Sequence, residues 1–376
     1  MKVTNYDIII LGGGCAGMQL MHQLIHHTRY TGESILIVDA DKAYLQSKSW
    51  CFWHKLEAHP YESIFNTTWN HLSIGFQNET KQKLIYPYQY CFIKSESFFE
   101  FHFNEIKQNS NIEYTNDCVL SIEKNDSQFI INTNEGVYST TALYSSYWNQ
   151  EKVAKETTLY LKQQFFGWEI QTDEPVFNAQ SATLMDFDIP QTYGVNFAYV
   201  LPYSAHCALI EITGFCADDY NRAFFEEVLK HYIQKKWNCS FKVIKTEQAQ
   251  IPMTNFSFKR FTREGAIAIG TAAGMVKPTT GYAFNRIYRD SILLANHFFN
   301  KEIPAEFRNT RFKFYDRLLL QLLKYQPNKA LYILTQLFRK VSYRHILRFL
   351  DEDTTLFQEA MLFANLPKKD FIKQIF

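Results

Sequence analysis

The sequence predicts an α/β protein: a parallel-sheet nucleotide layer is interleaved with an antiparallel sheet and followed by a C-terminal helical region. Three observations carry this. A buried strand, a glycine-rich turn, a helix and a second buried strand follow one another within the first 40 residues. Between residues 163 and 211 the pattern switches to successive short strands, the mark of an antiparallel sheet. A late buried strand then meets a second glycine-rich turn near residue 270, and beyond Lys301 every apolar run has helical spacing. The order interleaves the domains rather than setting them out one after another.

Each element has a local reason. Tyr6–Leu11 is a continuous apolar run, as in a strand buried on both faces of a parallel sheet. Gly12-Gly13-Gly14-Cys15-Ala16-Gly17 follows, then an apolar-periodic helix over Met18–Ile25 and a second buried strand, Ser34–Asp39. His22, His26 and His27 fall on that helix and read as packing or surface residues. Phe98–Ile106 has helical period; Ile112–Tyr114, Val119–Glu123, Phe129–Thr133 and Leu143–Ser146 read as short strands. Phe165–Ile170, Ala182–Phe187, Phe197–Leu201 and Ala208–Ile212 form the antiparallel set, and Phe224–Gln234 is a helix. Ala266–Gly270 is the late strand. Leu331, Leu334, Leu337, Phe338 and Val341 recur at helical spacing in the tail. The segments are 1–50 (βαβ), 51–160 (mixed, partly nucleotide-binding), 161–260 (antiparallel sheet, substrate side), 261–300 (second nucleotide segment) and 301–376 (helical tail).

Composition narrows the function classes. Hydrophobic residues are 46% and charged residues 20%, which excludes a disordered chain. A net charge of +1 gives no global field for nucleic acid, and no reader fold accompanies the local charge. The seven cysteines are odd in number and contain no CxxC, so reduced thiols in a cytosolic setting are expected. His206-Cys207 has no partner pair at ligand spacing, so no metal site is expected. No apolar run reaches the ~18 residues of a membrane span, and no signal segment precedes the first strand.

Gly12-x-Gly14-x-x-Gly17 sits between strand and helix, where its glycines serve a tight turn, close approach of a pyrophosphate and close helix–strand contact. The helix start supplies N–H donors to the phosphates. Asp39 ends the second strand, 22 residues after Gly17, where an acid hydrogen-bonds an adenosine ribose. Gly12, Gly13, Gly14, Ala16, Gly17 and Asp39 are therefore expected to hold a dinucleotide. The second turn, with Gly270, Thr271, Ala272 and Gly274, favours FAD, because a late strand-turn-helix often approaches the flavin end in two-segment flavoproteins.

At Trp50-Cys51-Phe52-Trp53 the chain resembles the lycopene cyclases of carotenoid biosynthesis, within the aromatic-hydroxylase-like group of Rossmann flavoproteins. Ala208–Thr213 (ALIEIT) resembles the family's acidic strand motif, Ile251–Thr254 its IPMT segment, and Ile269–Phe284 its second flavin segment. Arg311–Asp316 and Arg348-Phe349-Leu350 are similar to its helical tail. Two departures stand out. Ser47-Lys48-Ser49 replaces the usual Asp-Arg-Thr, keeping the charge at Lys48 without the guanidinium fork. Ile212 follows Glu211 where relatives often carry a second acid, leaving one acid–base candidate.

The resemblance implies redox-neutral closure of the ψ ends of lycopene, or related acyclic carotenoids, into β-ionone rings. Reduced FAD would be the cofactor and NADPH its reductant, although no separate NADPH motif is visible. Glu211 is the implied acid–base, since an apolar strand raises a carboxyl's pKa. Lys48 is an implied cofactor contact. Lys277 stands near the flavin or at the surface. Trp50, Phe52, Trp53 and Trp168, with Phe165 and Phe166, either line a polyene tunnel or fill the core. A membrane-borne substrate implies a peripheral enzyme on the inner face of the cytoplasmic membrane. Phe307–Phe349 carries ten Lys or Arg and one acid, Asp316, which suits either a lipid-facing helix (Arg308, Arg311, Lys313, Arg317 and Lys324 beside Phe312, Phe314, Leu318–Leu320 and Tyr325) or a basic cap on the core. A flavin monooxygenase, an isoprenoid reductase of the same fold and a non-catalytic lipid-binding flavoprotein remain as alternatives, and oligomeric state is open.

Overall fold

The computed structural model describes residues 3–40, 48–219, 221–301 and 310–366. Ser47, Phe307 and Arg308 lie outside the described residues. The nucleotide layer is a five-stranded parallel sheet in the order Ile267–Ala268, Ala142–Ser145, Ile8–Leu11, Ile35–Val38, Ile112–Thr115. Its central strands are buried on both faces for a visible reason. Ile8 and Ile10 pack under the helix Cys15–Ile25, while Ile9 and Leu11 meet Phe129 and Ile131 of a four-stranded sheet on the other side. That second sheet runs Val3–Asn5, Val137–Thr140, Gln128–Thr133, Val119–Asn125.

The larger sheet has seven strands in the order Phe241–Thr254, Tyr160–Thr172, Cys207–Cys216, Val195–Pro202, Ser181–Asp186, His71–Phe76, Glu79–Leu84. It is antiparallel except where Ser181–Asp186 pairs parallel with His71–Phe76. The hairpin of residues 71–84, read from sequence as part of the mixed segment, thus extends the antiparallel sheet. One face of the sheet, with Phe166, Trp168, Ile210 and Ile212, is covered by the helix Arg222–Trp237. The other face joins the largest apolar core, shared with the helices Thr310–Tyr325, Pro327–Lys340, Tyr343–Leu350 and Leu356–Ala364.

A third sheet links the two layers: Ser49–Lys55, Tyr88–Lys94, Thr67–Trp69. The first of these strands carries Trp50-Cys51-Phe52-Trp53. Because side chains alternate along a strand, Trp50 and Phe52 enter the nucleotide-layer core while Cys51 and Trp53 enter the core below the seven-stranded sheet.

The tail helices use their apolar stripes for packing. Phe312, Leu318 and Leu320 are at most 5% exposed, so of the two readings of this stripe, lipid-facing or cap on the core, these residues follow the second. Phe314 and Tyr325 remain exposed. Among the described residues no helix is long and apolar enough to cross a membrane.

Candidate active site

The glycine loop is shaped for a phosphate. Gly12 has φ +103°, a conformation few side chains tolerate. A Cβ at Gly17 would stand 2.0 Å from the Gly12 carbonyl oxygen, so only glycine lets the helix start this close to the strand. A Cβ at Gly14 would meet nothing within 4 Å, and the helix begins there without a side-chain cap. Open space above uncapped N–H donors is what a diphosphate requires. The Asp39 carboxylate is buried at the loop and accepts the Gly13 N–H at 2.6 Å. Lys48 is exposed; its charge acts on the Cys15 thiol at the start of the helix, and its backbone exchanges hydrogen bonds with Ser95. The second turn closes on the first: Gly270 has φ +60°, and a Cβ on it would lie 2.8 Å from Ala16 Cβ. Thr271 and Ala272 continue that turn as a short 3₁₀ segment ending at Gly274. The residues present therefore fit FAD at its phosphate end.

The second segment then runs into the Trp-Cys-Phe-Trp strand. Phe284 stacks on Phe52 with centroids 4.5 Å apart, Tyr282 meets Trp53 edge-on at 4.8 Å, and Asn285 donates to the Trp53 carbonyl at 2.6 Å. Two motifs separated by some 230 residues of sequence thus form one surface. Lys277, however, is not a surface residue. It is buried, with Nζ 3.1 Å from both Asp316 Oδ1 and Glu352 Oε1.

Glu211 is buried in the Cys207–Cys216 strand. Ladder register places it opposite Gly167 on one side and Tyr199 on the other, and Gly167 is opposite Glu247 in the next strand. Glu247, Gly167, Glu211 and Tyr199 therefore form one row across four strands, all on the face away from the helix Arg222–Trp237. A Cβ on Gly167 would come within 2.6 Å of Glu211 Cγ, so the Glu211 side chain leans over the glycine. Around it stand Cys51, Tyr199, Tyr90 and Tyr282. The Tyr90 hydroxyl is 2.5 Å from that of Tyr199 and 2.7 Å from that of Tyr282.

Electrostatics follow from this burial. Loss of water raises the Glu211 pKa well above its ordinary value, and the Glu247 charge raises it further. Among the described residues no hydrogen bond or ion pair to the Glu211 carboxyl is formed, so nothing stabilises its anion. Glu247 is raised to about 6, chiefly by burial; a hydrogen bond from Ser49 Oγ at 2.9 Å and the Lys245 charge oppose the rise. Glu169, two residues along the strand from Gly167 and on the same face, is held by Lys94 at 2.9 Å.

Of the aromatic residues singled out from sequence, Trp53 reaches the Glu211 side. Trp50 packs on Phe98 at 4.9 Å and Phe52 on Phe284, both in the nucleotide-layer core. Trp168 lies on the far face of the sheet with Phe166, against Phe241 and the helix Arg222–Trp237. The cause is the two-residue strand period, which sends neighbours in Trp-Cys-Phe-Trp and in Phe-Gly-Trp to opposite faces. Phe165 shares the Gly167 face, opposite Thr213. His22, His26 and His102 all converge on Glu105, at 2.7, 2.8 and 2.9 Å; this cluster clamps the helix Cys15–Ile25 to Ser95–Gln108. An open cleft of about 380 Å³ beside the second turn is lined by Phe256, Phe258, Thr271, Met275, Lys313 and Arg317 among others; Glu211 and Glu247 are not among its walls. The chemistry points to the enclosed carboxyl row rather than to this cleft.

Missed from sequence were Glu247, Tyr199, Tyr90, Tyr282 and Ser49. The available signal was weak: Glu247 sits in the polar run Lys245-Thr246-Glu247-Gln248 of a strand of mixed composition.

Comparison with solved structures places the fold among flavoproteins. A geranylgeranyl bacteriochlorophyll reductase-like protein from Thermoplasma acidophilum is similar over 100% of this chain and 99% of its own, with TM-score 0.62 and 11% identity. PqsL, a probable FAD-dependent monooxygenase from Pseudomonas aeruginosa, is similar over 88% of this chain and 99% of its own, with TM-score 0.62 and 13% identity. A variant of the halogenase PltM in complex with FAD matches over 92% and 82%, with TM-score 0.60 and 12% identity. No curated protein matches the sequence. The family model for lycopene cyclase protein matches residues 7–374. With the Trp-Cys-Phe-Trp strand, the Glu211 strand and the two glycine turns brought together in one FAD-type fold, the chain belongs to the lycopene cyclase family.

Proposed function

We propose that the protein is a FAD-dependent lycopene β-cyclase that closes the ψ ends of lycopene, through γ-carotene, to β-carotene. The observation that carries this is Glu211: a buried carboxyl without a cation partner, in a wall of tyrosines, where burial raises its pKa well above the ordinary value. Such a group can protonate an alkene, which no ionised surface carboxylate can do. FAD would be held by the Gly12–Gly17 loop, Asp39 and the Gly270–Gly274 turn; in its reduced form, with NADPH as the reductant, it supplies negative charge beside the cation. The chain's own residues do the rest. Glu211 delivers a proton to the terminal alkene, and the enclosed row keeps water from quenching the cation. Trp53 and the tyrosine rings offer π faces to it. No net electrons move, which makes the enzyme an isomerase.

Expression in lycopene-accumulating bacteria tests the reading. A red-to-orange shift with pigment of unchanged mass is the expected result. A changed mass would instead mean redox chemistry, as the names of the reductase and monooxygenase neighbours suggest, and unchanged pigment would mean binding alone.

A carotenoid substrate requires contact with lipid, so we place the enzyme on the cytoplasmic membrane at its inner face. The surface that supports this is on Leu356–Ala364, where Leu356, Phe357 and Met361 are 67%, 74% and 55% exposed. Replacing Leu356→Ser with Phe357→Ser should lower binding to anionic vesicles at least about tenfold, since each side chain is worth about 1.5–3 kcal/mol when buried. Co-sedimentation checks this, and turnover of detergent-dispersed lycopene should be unchanged.

A further inference from the structure

We infer that Glu247 is the second member of a one-proton carboxyl pair with Glu211 and accepts the proton that leaves the substrate as the ring forms. This rests on the cyclase reading above. The relevant observation is spatial. The chain lacks the second acid that relatives often carry after the first, and Ile212 holds that position. Ile212 lies on the face covered by the helix Arg222–Trp237, so an acid there would point away from Glu211's surroundings. The second carboxylate instead comes from the neighbouring strand but one, across Gly167.

Gly167 makes the pairing possible. Any larger residue would put a Cβ between the carboxyls, and that Cβ would lie 2.6 Å from Glu211 Cγ and 2.9 Å from the Ile210 carbonyl oxygen. With glycine there, Glu211 extends over the backbone toward Glu247. Both residues are at most 9% exposed. Each acts on its surroundings: the Glu247 charge raises Glu211, and both push up the Cys51 thiol. Two buried carboxyls on the same row, each in reach of the other's charge, do not both ionise readily, so the pair carries one proton. Glu211 holds it, because it lacks the support that Ser49 Oγ gives Glu247.

The step balances without a co-reactant. Glu211–H gives its proton to the terminal alkene carbon, a C–C bond closes the ring, and the ring C–H bond breaks with its electrons forming the new double bond. That proton goes to the Glu247 carboxylate. Transfer from Glu247 to Glu211 across Gly167 then restores the starting state.

The groups facing Glu247 are Glu211 from its sheet, Ser49 and Cys51 from the motif strand, Lys245 on its own strand, Tyr203, and Glu96 from the helix Ser95–Gln108, itself bonded to Lys245. Glu247 must be ionised and Glu211 protonated, so kcat should fall as pH drops through about 6 and fall again at higher pH, as Glu211 loses its proton.

The test is kcat against pH on flavin-loaded wild type, Glu247→Gln, Glu247→Asp and Ser49→Ala. Glu247→Gln should lose at least about 100-fold in kcat and lose the acid limb, and Glu247→Asp should recover part of the rate. Ser49→Ala removes the hydrogen bond that stabilises the Glu247 anion, so its acid limb should move to higher pH. Wild-type kcat with an intact acid limb in Glu247→Gln overturns the pair. Should Glu247→Gln fail to fold, Ser49→Ala decides, and an unmoved limb overturns the proposal. Wild-type protein that leaves lycopene unchanged defeats the cyclase reading itself, a distinct outcome.

Discussion

Glu211→Gln will abolish ring closure while the protein keeps its fold and its flavin. Glutamine has the shape of the protonated glutamic acid, so the row from Glu247 to Tyr199 keeps its packing. It has no proton acidic enough for an alkene, and the loss should reach about 10²–10⁴-fold or fall below detection. The flavin residues lie on other elements, so bound-flavin absorbance should match wild type. A second readout follows from linkage. The folded-state pKa of Glu211 is raised above its ordinary 4.5, so its contribution to stability is full below that value and is lost as pH rises toward the folded pKa. Glu211→Gln removes this slope. Between pH 5 and 8 the variant's Tm should fall less than that of wild type, measured by thermal unfolding at matched ionic strength. Wild-type amounts of cyclised pigment from the variant would end the assignment.

The part of this site that was legible in the sequence is the part made by local chemistry. Gly12 and Gly17 announce themselves because the backbone turn and the close helix–strand contact restrict those positions to glycine, Gly14 leaves open the space a phosphate needs, and Asp39 is tied to them by strand length. The buried strands Ile8–Leu11 and Ile35–Val38 are uniformly apolar because both faces are covered, a pattern any parallel strand shows. Glu211 stands out as one acid in an apolar run. What stayed hidden was set by register. Glu247 lies in Phe241–Thr254, an edge strand with much of its length in solvent, so the polar run Lys245–Gln248 gives no sign that one carboxyl turns inward. Gly167 looks like an interruption in an aromatic strand until the ladder puts it between two glutamates. Whether Trp168 lined a tunnel or filled the core was hidden for the same reason: one residue along a strand is the other side of a sheet. In the tail, helical period correctly gave helices but could not say whether the stripe of Phe312, Leu318 and Leu320 met lipid or protein.

Lys277→Met should be the most destabilising single change considered, by about 3–5 kcal/mol, because it removes the cation from a buried charge cluster. The Lys277 ammonium lies between Asp316 of the helix Thr310–Tyr325 and Glu352, which follows the helix Tyr343–Leu350. Arg286 also reaches Glu352 at 3.2 Å, and Thr279 donates to Asp316 at 2.8 Å. These contacts bind the second flavin segment to the helical tail. Without Lys277 two buried carboxylates lose their shared cation, and the segment that carries the Gly270–Gly274 turn loses its anchor. Bound flavin should drop together with Tm. The double variant Lys277→Met with Asp316→Leu distinguishes charge from shape: replacing both partners by apolar groups can be near neutral, so it should recover much of the stability lost in Lys277→Met. If instead the double variant is as unstable as the sum of the two single changes, the cluster is not acting as an ion pair, and the tail must be held to the flavin segment by apolar contacts such as Tyr282 against the core shared with the tail helices.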